Sequence, residues 1–255
     1  MCRHTGYLGP PRSPAELFFG GTHSLEVQSY RPRELLHGHV NVDGYGVTWY
    51  PGPEPVRIAE QRPVWHDPDL PSLLRSIQAS PILAAVRNTT PGIPVERSGL
   101  APLTKGIWSF SLNGFVEDFR KGAMQDFHGR LSPSSYGELQ GTSDTEALFH
   151  LLLDHVRSGE PLSEGVRGCA TSALEVVSAH EVDLHLNLLA SDGESLVATR
   201  YSTTPEQNSL YTHPGEGGGG WVASEPLDAS RGWTRVPKSS LVEITLERGV
   251  EVTAL

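Results

Sequence analysis

The sequence predicts an α+β fold in which antiparallel sheets are layered with helices, and three observations predict it. Strand-like runs fill most of the first half, two long helical patterns follow, and strand-like runs return after them. That grouping suits stacked layers, not the βαβ alternation of a nucleotide-binding fold. The 27 Gly and 20 Pro are spread between apolar segments as turn punctuation, which describes a loop-rich globule and not a disordered chain. Finally, 255 residues with 37% hydrophobic and 20% charged side chains can bury one sizeable core, so a single domain over 1–255 is expected.

Arg3 to Leu8 reads as a first strand, with a turn at Gly9-Pro10-Pro11. A helix begins near Ser13-Pro14-Ala15-Glu16, where proline suits a first helical position. Gly46 to Tyr50, Ile82 to Val86 and Ile107 to Phe110 are β-branched or aromatic runs bounded by Gly or Pro, and read as strands. Pro71 to Ala79 carries Leu73, Leu74 and Ile77 at helical spacing, and Asp144 to Arg157 does so with Leu148, Leu151, Leu152 and Val156. Ser143 and Glu146 give the second helix a Ser-x-x-Glu capping box. Ser163 to His180 is a third helical segment. Strands follow at Asp183 to Ala190, Ser195 to Tyr201, Ser209 to His213, Gly220 to Ala223 and Leu241 to Leu246.

Twenty basic against 30 acidic residues give a formal charge of −10, which discourages nucleic-acid or acidic-membrane binding and favours a small-molecule substrate. No run is long and apolar enough for a bilayer span or a secretory signal, so the expected location is cytoplasmic. Cys2 and Cys169 are too few for a disulfide framework and lack the paired spacing of a zinc site. Cys169 lies in a helical segment and is expected to fill a core position.

Cys2 follows the initiator Met. A small second residue permits Met removal, which places a thiol and a free α-amine on one residue. With reference pKa values near ~8.5 and ~8, the two can exchange a proton without a second catalytic side chain. Alone the position carries little weight, but four further signals follow in order. They are Asp43-Gly44-Tyr45-Gly46, Arg87-Asn88-Thr89-Thr90-Pro91-Gly92, Asn113-Gly114 and Gly141-Thr142-Ser143-Asp144-Thr145-Glu146. Each has a plainer reading. Asn-Gly is a favoured hairpin turn, Arg87 can form a surface salt bridge, and Asp144 can simply complement a helix dipole.

Taken together, these motifs resemble the class II glutamine amidotransferases, whose nucleophile is an N-terminal cysteine. The resemblance runs from Cys2 to about Pro226. It implies a four-layer αββα N-terminal-nucleophile fold with two stacked antiparallel sheets. It also implies that Cys2 attacks a γ-glutamyl carbonyl and that Asn113 and the Gly114 amide stabilise the oxyanion. Arg87 would hold the α-carboxylate, Asp144 the α-ammonium, and Thr90 would add a hydrogen bond. The sequence departs from the usual motifs at Leu112 and Pro91, where the family commonly has His.

MCRHTGYLG, the segment from His23 to Tyr50 and GWVASEPLD resemble, more narrowly, the ergothioneine-pathway γ-glutamyl hydrolases. That implies a γ-glutamyl hercynylcysteine sulfoxide substrate, with water as acceptor; no cofactor, no metal and no required protein partner are expected. Alternatives left open are a glutaminase subunit feeding a partner synthetase, a general γ-glutamyl peptidase and a non-catalytic scaffold. Tyr45, Trp49 and Trp108 are candidate contacts for a quaternary ammonium, although core packing is the reading their strand-like runs favour. His37-Gly38-His39 lacks further ligands and reads as a loop. Gly215-Glu216-Gly217 into Gly220 reads as a mobile hairpin tip or lid, not a phosphate loop.

Overall fold

The computed structural model describes residues 2–36, 38, 40–89 and 96–255. In chain order the elements are β1 (Arg3–Leu8), α1 (Ala15–Phe19), α2 (Leu25–Tyr30), β2 (Gly44–Trp49), β3 (Val56–Glu60), α3 (Leu70–Arg75) and β4 (Ile82–Arg87). Then come β5 (Leu103–Lys105), β6 (Trp108–Val116), α4 (Ala123–Gly129), α5 (Pro133–Gly137), α6 (Asp144–Arg157) and α7 (Leu162–His180). The chain finishes with β7 (Leu184–Ser191), β8 (Ser195–Ser202), β9 (Tyr211–Pro214), β10 (Gly220–Ala223), β11 (Thr234–Arg235), β12 (Ser240–Thr245) and β13 (Gly249–Ala254).

The strands form a seven-stranded sheet, β11-β9-β10-β1-β4-β2-β3, and a six-stranded sheet, β13-β12-β8-β7-β6-β5. Every pairing is antiparallel. Three apolar clusters glue four layers together. Phe18, Leu25, Leu70 and Leu74 of α1, α2 and α3 pack on Tyr7, Val47, Ile82 and Val86 of the first sheet. Leu8, Leu83, Leu189, Leu196 and Ile244 meet between the sheets. Leu148, Leu152, Val166 and Val177 of α6 and α7 cover Phe110, Leu112 and Leu186 of the second sheet. The expected αββα arrangement is therefore present.

Alternation along the strands decides which side chains face the gap between the sheets. In β1, Tyr7 joins the helix-side core while Leu8 joins the inter-sheet core, so His4 shares the inner face with Leu8. In β6, Phe110, Leu112 and Val116 face the helices, which leaves Ser109, Ser111 and Asn113 facing the first sheet. The inter-sheet layer is thus apolar near Leu8 and polar toward the N-terminal end of β1.

The bounds of β1, α6 and β10 agree with the sequence reading, while α2, β3, β5, α4, α5, β11 and β13 were not anticipated. Most of these are short, and a six-residue helix such as α2 spans too few turns for periodicity to register. Ser143 Oγ accepts from the Glu146 N–H at 3.2 Å, as a cap should, but the Glu146 carboxylate reaches the Gln140 and Gly141 amides, both at 2.7 Å, instead of the amide of Ser143. The glycine-rich segment is the tip of the β9–β10 hairpin. Gly220 pairs with Leu8, at the end of β1 remote from Cys2, so the tip is not placed as a lid over Cys2. Tyr45 and Trp49 are buried in the helix-side core, as is Cys169 in the other. No helix among the described residues is long and apolar enough to cross a membrane.

Candidate active site

Cys2 immediately precedes β1 and is half-buried. Arg3 pairs with Val86 in the antiparallel β1–β4 register, so the same register carried one residue further sets Cys2 opposite Arg87. Leu83 of β4 belongs to the inter-sheet core and Val86 to the helix-side core, which puts Arg87 on the inner face shared by Cys2 and His4. Arg87 closes β4 as the apolar run suggested. Its Nη1 donates to the Glu96 carbonyl at 3.2 Å, and the guanidinium lies over Gly99. A Cβ at Gly99 would stand 2.8 Å from Nη1 and 3.0 Å from Nη2.

Asn113 and Gly114 lie inside β6, paired with Asn187 and Leu186. The hairpin-turn reading of this pair is therefore incorrect. A Cβ at Gly114 would collide with the His185 carbonyl of β7, so the close approach of main chains, not a turn, requires glycine here. Beyond Phe110 the pairing with β5 ends, leaving that edge of β6 open. The Val116 N–H points to this edge and donates to Asp144 Oδ2 at 3.0 Å. The two-residue period of a strand turns the Gly114 N–H to the same side. The Asn113 side chain is fully buried, and its Nδ2 donates to Ser224 Oγ at 3.2 Å.

Asp144 starts α6, where its Oδ1 also accepts from the Thr145 N–H at 2.7 Å. Burial pushes its carboxyl up from the ordinary range, against the pull of the Val116 and Thr145 donors and of the Arg87 charge. Arg87 and Asp144 are thus an opposite-sign pair within electrostatic reach, contributed by β4 and α6. Thr90 and Pro91, and His37 and His39, lie outside the described residues. Leu112 turns its side chain into the helix-side core, away from Asn113.

Around this set stand residues the sequence reading gave no role. His4 is fully buried with Nδ1 3.2 Å from Ser111 Oγ, and burial, reinforced by the Arg3 charge, lowers its pKa to about 3, so it is neutral. On the opposite face of β1, Arg3 Nε donates to Glu225 Oε1 at 3.0 Å, and Glu225 Oε2 meets His23 Nε2 at 2.7 Å. Glu225 also accepts from the Arg33 and Glu34 amides. Burial alone would raise the Glu225 pKa, but His23, Arg3 and these amides outweigh it and bring it to about 2. The segment Gly220 to Asp228 signalled a resemblance, yet nothing local marked Ser224 or Glu225 as parts of the site.

With the fold and this cluster in place, the class of protein is defined: the chain belongs to the class-II glutamine amidotransferases, whose family model matches residues 21–211. It is 32% identical over 255 residues to the gamma-glutamyl-hercynylcysteine sulfoxide hydrolase of Mycobacterium tuberculosis, covering all of this chain and 97% of that protein. Identity to the enzyme of the same name from Mycolicibacterium smegmatis is also 32%, over 96% of each chain. A solved glutamine aminotransferase class-II domain protein from Silicibacter pomeroyi superposes with a TM-score of 0.68 at 22% identity, covering all of this chain and 99% of that one.

Proposed function

We propose that this chain hydrolyses the γ-glutamyl amide of γ-glutamyl-hercynylcysteine S-oxide to glutamate and hercynylcysteine S-oxide, a step of ergothioneine biosynthesis. The observation that carries the proposal is the end-to-end similarity to hydrolases named for that substrate, 32% identical over the whole chain. In this reading, loss of Met1 frees the α-amine of Cys2. The thiol passes its proton to that amine and attacks the γ-carbonyl, the α-ammonium protonates the departing amine, and water hydrolyses the glutamyl thioester.

The neighbouring groups have roles consistent with their chemistry. Asn113 Nδ2 and the Gly114 N–H are neutral donors for the tetrahedral oxyanion, and loss of one such donor costs about 3–4 kcal/mol of barrier. Arg87 takes the α-carboxylate in its fork. Asp144, raised by burial, is suited to a substrate ammonium that would bring it back down. Thr90 is assigned a further hydrogen bond to the glutamyl group. No cofactor, metal or protein partner enters the scheme.

The test is glutamate release from γ-glutamyl-hercynylcysteine S-oxide, glutamine and glutathione, beside a Cys2→Ala control and an intact-mass measurement. The expected result is preferential cleavage of the first substrate, none by the control, and mass corresponding to loss of Met1. Preference for glutamine, stimulated by a partner synthetase, would instead make the chain a glutaminase subunit. Full activity in the Cys2→Ala control would eliminate the terminal-nucleophile mechanism.

A further inference from the structure

Ser224 follows β10, directly alongside β1, and its N–H, hydroxyl oxygen and carbonyl are all hydrogen-bonded. Its N–H donates to the His4 carbonyl at 2.9 Å. Its Oγ accepts from the His4 N–H at 3.0 Å and from Asn113 Nδ2 at 3.2 Å, and its carbonyl accepts from Ser209 Oγ at 2.7 Å. The residue is fully buried. One hydroxyl oxygen therefore ties the main chain two residues after Cys2, in the first sheet, to the side chain of Asn113, in the second.

The two lone pairs of a hydroxyl are both used in this arrangement. One of the two Nδ2 hydrogens of Asn113 is fixed on Ser224, which sets the plane of the amide and leaves the other hydrogen free. Nothing else among the described residues does this, because Asn113 Oδ1 is buried without a hydrogen-bond partner. The Asn113 carbonyl is held separately, by Asn208 Nδ2 at 2.9 Å. Nucleophile and oxyanion donor lie on different sheets, and an oxyanion hole functions only if its donors are aimed before charge develops.

We propose that Ser224 is a positioning residue for the amide-cleaving reaction: it locks the Asn113 amide and holds it in register with the strand that carries Cys2. The proposal rests on the functional reading above. Ser224 touches no substrate. It acts through Asn113, so its removal lowers kcat and leaves binding of the glutamyl group by Arg87 and Asp144 nearly intact.

Ser224→Ala and Ser224→Thr, with Cys2→Ala as control, test this by steady-state kinetics and by NMR of the Asn113 side-chain amide in 15N-labelled protein. The expected result for Ser224→Ala is a fall in kcat of roughly tenfold to a hundredfold, with KM within about twofold. Its Asn113 amide hydrogens should also exchange faster with solvent than in the wild type. Ser224→Thr, which keeps the hydroxyl, should restore both towards wild type. Unchanged kcat in a folded Ser224→Ala enzyme, or an equal rise in KM, overturns the proposal while leaving the hydrolase reading intact if Cys2→Ala is inactive. If the wild type cleaves no γ-glutamyl compound, the hydrolase reading fails. The NMR comparison then still decides whether Ser224 holds Asn113, and an unaltered amide signal overturns that.

Discussion

The guanidinium of Arg87 occupies the space where a side chain at residue 99 would begin: a Cβ on Gly99 would lie 2.8 Å from Nη1. Gly99→Ala must therefore displace the fork, and a flexible side-chain end can yield without unfolding the protein. If Arg87 binds the α-carboxylate, KM for the glutamyl substrate should rise about tenfold or more, with a melting temperature within a few degrees of wild type. Unaltered KM in the variant would separate Arg87 from substrate binding.

Asp144 gives a pH signature. Burial raises its carboxyl above the ordinary range, so as pH falls it takes up a proton sooner than an exposed Asp and loses its attraction for an ammonium. kcat/KM should decline on the acid side through this group. In Asp144→Asn, kcat/KM should fall by at least about tenfold, and this acid limb should disappear. A limb that persists in the variant must belong to another group.

Glu225 ties a buried charge to stability. Its folded pKa of about 2 lies below its unfolded value near 4.5, so the stabilisation is present above pH 4.5 and is lost as pH falls toward 2. The shift corresponds to stabilisation on the order of 3 kcal/mol. His4, lowered from 6.5 to about 3, acts in the same direction, with stability lost as pH falls from 6.5. Urea denaturation of Glu225→Gln should show a loss of about 3–5 kcal/mol at neutral pH, because Arg3 is left buried without its carboxylate. It should also show a flatter pH dependence between 4.5 and 2.

The two thiols should separate in reactivity. Cys169 is fully buried, its Sγ is 3.4 Å from the Leu148 carbonyl, and burial pushes its pKa up to about 12. Native protein should take up one equivalent of iodoacetamide, at Cys2, with loss of activity, and the second only on unfolding. Modification of Cys169 in folded protein, detected by peptide mass, would contradict its closed packing.

Much of the framework was legible because it is local. Arg3 to Leu8, Asp144 to Arg157 and Gly220 to Ala223 each announce their element through the composition and period of consecutive residues. Arg87 was recognisable at a strand end because its apolar run stops there. The plainer, hairpin-turn reading of Asn113-Gly114 fails for the same local reason. The pair favours a turn when only its neighbours are considered, but β7 lies alongside and strand pairing overrides that preference.

The sequence by itself singled out Cys2 as the candidate nucleophile, set the order of the site motifs and indicated the strand after Cys2 and the helix that Asp144 begins, since each is written in a few adjacent residues. The tertiary structure decided which way Asn113 and Gly114 face, why residue 99 must be small, and that Ser224 and Glu225 brace the strand behind Cys2. Arg3 and Glu225 are 222 residues apart, and Ser224 and Asn113 are 111 apart. No local pattern encodes such contacts. They exist only once the layers stack, with Ser224 and Asn113 meeting between the two sheets and Arg3 and Glu225 on the other face of β1, where expulsion of water leaves buried polar groups to find partners.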